Sequence, residues 1–305
     1  MKGVAVRPDR SAATLLRDRR IALILMSCFA VIWAVLEDEL GVRLRQPYDL
    51  TQVVWCRYAA HLVVVALVWG WRAPRTFWRT SRIGLQLGRS LLMIVMPMGF
   101  MFAAMTGTPV STVWAIFWIA PLLILVGAHL YLAEHAPRWL WILTTLATLA
   151  AIAVVHPTGV PTLGGLAWAV AMSGSFAFYV VLTRELRTEL LSANLFYTAL
   201  GVIIPLSLWV PRVWLPPSMH DAAILFGIGA LGFVALLALD RAAERSEVSW
   251  TAGVVALQVV AVICINLARH TAFVSPFVVA GVVGVIGCAG ALWIGAQRDL
   301  RRAHG

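Results

Sequence analysis

Apolar residues in this chain do not alternate with polar ones at the period of a strand. They come in long runs separated by short polar joints. Ten runs can be drawn, roughly 20–43, 51–71, 83–105, 110–132, 138–156, 163–183, 194–213, 221–240, 248–268 and 273–295. A run of about 20 residues spans a hydrocarbon core of ~30 Å as a helix. Backbone exposed to lipid must satisfy its own hydrogen bonds, so each run is expected to be helical. The pattern predicts an all-α membrane protein of ten transmembrane helices, with joints too short to hold a soluble domain.

Composition agrees: 61% of the residues are hydrophobic, 12% are charged and the mean hydropathy is +0.86. Such a chain is no ordinary soluble domain. Its net charge of +10 does not point to nucleic acid, because the Arg residues are scattered through short joints and form no single patch. With the N-terminus in the cytoplasm, 18 Lys and Arg residues fall on the inner side and four (Arg43, Arg45, Arg212, Arg269) on the outer. That asymmetry predicts both termini inside, an even number of spans and a cell (inner) membrane location. The first run is too long for a cleavable signal peptide and is followed by a second.

The Pro/Gly-rich joint around 156–165 divides the ten runs into two sets of five. Five is odd, so the second set enters the membrane upside down, as in carriers whose site lies between inverted repeats. The expected organisation is an N-terminal cytoplasmic arm (1–19), a first repeat (20–156), a linker (157–162), a second repeat (163–295) and a basic tail (296–305).

Polar residues within such spans are costly, and those present usually face a bundle interior or a water-filled cavity. Between the first two runs lie Glu37, Asp38 and Glu39, then Arg57 and His61 inside the second. Asp38 and Arg57 fall at about one depth, so they are expected to pair across the helices, offsetting part of their desolvation. The alternatives are interfacial carboxylates with an Arg57 that snorkels outward, and a His61 hydrogen-bonded in packing. Arg89 shares a face with Gln86 on the third run, where snorkelling is again the rival. Trp114, Trp118 and Pro121 form a stripe on the fourth run, and Trp168, Met172, Ser175 and Tyr179 another on the sixth. Such stripes line a cavity for stacking or cation–π contact, or simply pack. Gln258, mid-span in the second half, lines the cavity or bonds between helices. The expected substrate-binding set is Asp38, Arg57, His61, Arg89, Trp114, Trp118, Trp168, Ser175, Tyr179 and Gln258.

Catalytic and metal signals are poor. His129, Glu134 and His135 do not make HExxH, and Ser173-Gly174-Ser175 is not GxSxG. Cys28, Cys56, Cys264 and Cys288 lie within apolar runs without CxxC spacing and read as small buried hydrophobes. No cofactor, no metal and no enzymatic activity are expected. Gly281, Gly284, Gly287 and Gly290 allow close helix contact on the tenth run, within a monomer or at a homodimer face.

The stretch 108–157, with Pro121 in mid-helix and Glu134 closing the helix, resembles the first repeat of the EamA-type drug/metabolite transporters. YDLTQVVWCR, ending in Arg57, and GRSLLMIVMPMGFMFAAM, containing Arg89, resemble helices 2 and 3 of the branch with an Arg in each, and Asp38 falls where that branch often has an acidic residue. The second half departs: where the family usually shows Pro and a closing Gly-Glu, this chain has Trp250 and then Ala268-Arg269. The resemblance implies a ten-helix, inverted-repeat carrier that moves small metabolites, often outward. The favoured expectation is therefore a secondary transporter, of exporter type, for a small carboxylate-bearing metabolite such as an amino acid. Asp38 or Glu37 would serve proton coupling. The competing classes are a non-transporting scaffold or receptor subunit and an integral membrane enzyme.

Overall fold

The computed structural model describes residues 12–44, 48–271 and 275–302, with side chains over 14–38, 48–271 and 275–298. Eleven α-helices account for nearly all of it, and no strand occurs among the described residues. They are α1 (Ala12–Leu44), α2 (Leu50–Val65), α3 (Ile83–Met105), α4 (Val110–Phe117), α5 (Ala120–Tyr131), α6 (Arg138–Val155), α7 (Leu163–Glu185), α8 (Leu191–Ser207), α9 (Met219–Arg245), α10 (Leu257–Ala268) and α11 (Pro276–Arg302). Eight stretches, with α4 and α5 counted together, are long and apolar enough to cross a membrane. The outer surface agrees: Val63, Leu91, Leu146, Phe178 and Val283 all point away from the bundle. Large apolar side chains on an outer surface suit lipid and would be a liability in water.

Several expectations are revised. Eight of the ten expected runs form helices of full crossing length, while the seventh and ninth give shorter apolar helices. In the ninth, tight turns at Val248–Trp250 and Ala252–Ala256 precede α10. The fourth run is broken into α4 and α5 at Trp118–Ile119, just ahead of Pro121, which cannot donate to the helix ladder. Ser173 on α7 donates to the Phe117 carbonyl at 3.1 Å, satisfying an acceptor at that break. The arm expected over 1–19 is already helical from Ala12, and the tail over 296–305 continues α11 to Arg302. Residues 1–11 and 303–305, and the Arg45 joint, lie outside the described residues, as do the side chains of Glu39 and Arg43.

Helix starts are fixed by local chemistry. Asp49 accepts from the Thr51 amide, Thr162 from the Gly165 amide and Ser218 from the Asp221 amide, each capping α2, α7 or α9. Packing then follows a pattern of exchange: α1 lies along α9 as α3 lies along α7, and α2 meets α9 as α8 meets α3. Two glycines permit the last two approaches. A β-carbon at Gly229 would overlap Ala60 and the Arg57 carbonyl, and one at Gly201 would overlap Ser90. Helices in lipid gain little from hydrophobicity and associate through such close fits.

Candidate functional site

A cavity of about 660 Å³ lies between α1, α2, α3, α4, α6, α7, α9 and α10. That is ample for a small metabolite. Its rim residues Asp38, Leu50, Val110, Val155 and Asn266 sit at helix ends on the face away from the start of α1. Its walls are aromatic. Trp33 stacks on Phe176 at 5.0 Å between ring centroids and lies 6.3 Å from Trp118, while Trp114 lies 5.5 Å from Phe100. The break between α4 and α5 places Trp118 at the cavity wall, almost wholly buried.

Charge in the cavity comes from α1 and α2. Arg57 lines it, near the Tyr58 ring at 5.4 Å, and has no ion pair or hydrogen bond among the described residues. Its position is set by α9, since a β-carbon at Gly232 would stand only 3.0 Å from Arg57 Nε. Glu37 also lines the cavity and accepts Gln258 Nε2 at 2.7 Å. The expected Asp38–Arg57 pair is not formed. Asp38 instead binds Arg269 Nη2 at 2.6 Å, a residue that the sequence placed in an outer joint. Glu37 and Asp38 are adjacent, so their side chains point about 100° apart around α1: Glu37 meets α10 at Gln258, while Asp38 meets Arg269 at the end of that helix.

Of the expected binding residues, Asp38, Arg57, Trp114, Trp118, Tyr179 and Gln258 line the cavity. Four do not. His61 is buried against Phe233, with Nε2 3.2 Å from the Leu195 carbonyl, so packing has captured it. Trp168 points outward and pairs with Phe102 at 4.8 Å. Ser175 is buried and donates to the Met172 carbonyl of its own helix. Arg89 is fully buried below the cavity floor, its guanidinium 5.1 Å from the Tyr179 ring.

Arg89 is the hub of a separate network. It donates to Thr183 Oγ1 (3.0 Å), Thr198 Oγ1 (2.9 Å) and the Asn194 carbonyl (2.7 Å), and pairs with Asp240 at 3.4 Å. Asn194 bridges Gln86 and Asp240. Asp240 was not singled out by sequence because it lies at the expected end of a span, where a carboxylate reads as interfacial. Arg89 did not snorkel because α7, α8 and α9 all offer it acceptors.

Further polar links close the same end of the bundle. Arg245 binds Asp18 at 2.9 Å and Arg82 binds Glu185 at 2.8 Å. Glu134 accepts from the Ser249 and Val248 amides at 3.0 and 3.3 Å, with Arg184 beside it at 3.5 Å. Burial pushes its carboxyl above the usual range, against the hydrogen bonds from Ser249 and the charge of Arg184. Its place is set by Ala133, whose φ of 53° turns the chain out of α5 and lets the Glu134 amide reach back to Ala128 at 3.0 Å. At Glu189, a small burial cost is outweighed by hydrogen bonds from Ser81 and Thr80, so its carboxyl sits below the usual range. Among the described residues, no three His, Cys, Asp or Glu side chains gather as a metal site.

No protein-family model matches the chain. Three curated relatives are each named S-adenosylmethionine uptake transporter. That of Rickettsia conorii is 25% identical over 57% of this chain and 59% of its own length. That of Rickettsia felis is 23% identical over 72% of both chains, and that of Rickettsia bellii 24% over 57% and 60%. The chain thus spans about three-fifths of the first of these relatives. A solved chain described only as "Crystal structure of protein" superposes with a TM-score of 0.77 at 15% identity, covering 91% of this chain and 98% of its own. The fold described above is therefore one that a solved protein also adopts.

Proposed function

We propose that this chain is a secondary transporter that moves a small carboxylate-bearing metabolite through the aromatic cavity by alternating access. The observation that carries the reading is Arg57: a guanidinium with no ion pair or hydrogen bond among the described residues, lining a ring-walled hollow. A desolvated cation without a partner is expensive, and a bound anion offsets that cost. The walls fit an apolar or ring portion of the same molecule.

The plan we favour is the EamA-type one: ten spans, with 20–156 and 163–295 as inverted repeats and 157–162 as linker. It is supported by the exchanged pairings, α1 on α9 and α3 on α7, and by an interrupted fourth and ninth span in corresponding places. The Lys and Arg asymmetry favours cytoplasmic termini in an inner membrane. The cavity would then face outside, and the relatives are named for uptake. We therefore take import as the direction, replacing the outward transport that the family resemblance implies. S-Adenosylmethionine carries a carboxylate and ring system of the required kind, and it is the first compound to test.

In proteoliposomes, the wild-type chain should accumulate labelled S-adenosylmethionine, and Arg57→Ala should abolish uptake while inserting normally. Equal uptake by empty liposomes, or by the Arg57→Ala protein, would defeat the proposal.

A further inference from the structure

The cavity is lined by a carboxyl group and a guanidinium that do not touch. Glu37 on α1 accepts Gln258 Nε2 at 2.7 Å. Arg57 on α2 is seated against α9 at Gly232. The two form no ion pair within 4.0 Å. A guanidinium free to swing in an open cavity would close on a nearby carboxylate, because the pair is stronger out of bulk water. Here Glu37 is bonded to Gln258 and Arg57 lies over Gly232 on α9, and the two stand apart.

A ligand carrying only a carboxylate would satisfy Arg57 and be repelled by Glu37. A simple amine would meet the reverse conflict. A molecule with a carboxylate and an ammonium on adjoining atoms meets both charges at once. We propose that the cavity selects an α-amino-acid head group, its carboxylate on Arg57 and its ammonium on Glu37, with the remainder against the aromatic wall. This rests on the cavity being the transport site and narrows what it accepts. It also assigns Glu37 a substrate contact in place of proton uptake.

The test is equilibrium competition against labelled S-adenosylmethionine on the purified full-length chain in detergent. The competitors are unlabelled S-adenosylmethionine, its decarboxylated form and its deaminated 2-oxo form. All three keep the sulfonium and adenine, so only the head group varies. The wild-type chain should prefer the complete head group to either truncated form by at least about tenfold, equivalent to ~1.4 kcal/mol. Glu37→Gln should lose the preference over the deaminated form and keep that over the decarboxylated one. Arg57→Gln should do the opposite. Glu37→Asp, which retains the charge, should recover part of the ammonium preference and so separates loss of charge from loss of fold. Equal competition by complete and deaminated forms on the wild-type chain would overturn the head-group assignment while leaving a carboxylate carrier standing. An intact ammonium preference in Glu37→Gln would do the same. Absence of any labelled binding to the wild-type chain would remove the transport-site reading and this inference together.

Discussion

The interior charges at the two ends of this bundle are treated differently, although the cavity rim carries the Asp38–Arg269 pair. At the end where α1 begins, carboxylates and guanidiniums meet one another: Arg89 with Asp240, Arg184 with Glu134, Arg245 with Asp18. At the other end, Glu37 and Arg57 stand apart around a void. A buried charge whose partners come from the protein holds helices together; one that lacks them is available to something else. Arg57 and Arg89 have the same chemistry and comparable span depth, and only their neighbours distinguish them.

The largest effect should therefore come from Arg89, and it should be on folding. Arg89→Ala strands Asp240 and several hydrogen-bonding groups in a dry interior, with an expected loss of about 3–5 kcal/mol. Thermal melting of the detergent-solubilised protein measures it. A melting point equal to the wild-type value would mean that the sealed end is not held by this network. Next, Trp114→Ala should leave melting nearly unaltered and weaken S-adenosylmethionine binding by about 1–3 kcal/mol, the scale of a lost aromatic contact. A smaller change is expected at the rim. The Asp38–Arg269 pair is partly exposed, so Asp38→Asn should cost no more than ~1 kcal/mol in stability. A large drop in melting point would show it to be a structural clamp. Smallest of all, Trp168→Ala should leave uptake within twofold of wild type, since its ring faces outward. An uptake defect there would extend the site beyond the cavity.

Much of the scaffold was legible in the sequence because lipid imposes a simple rule on length and polarity. Most helix ends fall within a few residues of the apolar runs, but α1 starts eight residues earlier, α8 ends six residues short and α9 runs five residues past its run; no periodicity announces the turns at Val248–Trp250, and only Pro121 hints at the break in the fourth run. In the site, Trp114 and Trp118 were readable because they share a helix face, and the structure turns that face inward. Position along a helix was readable too, but rotation was not. Trp168 and Tyr179 belong to one expected stripe on α7, yet one faces out and the other lines the cavity. Asp38 and Arg57 both line the cavity, yet Arg269, capping a helix more than 200 residues away in sequence, took the carboxylate. Such partners are tertiary facts. Gln258 was singled out, but its bond to Glu37 depends on α10 meeting α1.

The central claim is that Arg57 is kept unpaired for a ligand. Equilibrium binding of labelled S-adenosylmethionine to purified Arg57→Ala, beside its melting point, tests it most directly. Binding should fall by at least about a hundredfold, some 2.7 kcal/mol, with melting close to the wild-type value, because no ion pair or hydrogen bond among the described residues is lost. Unaltered binding, or a collapse in melting like that expected of Arg89→Ala, would contradict it.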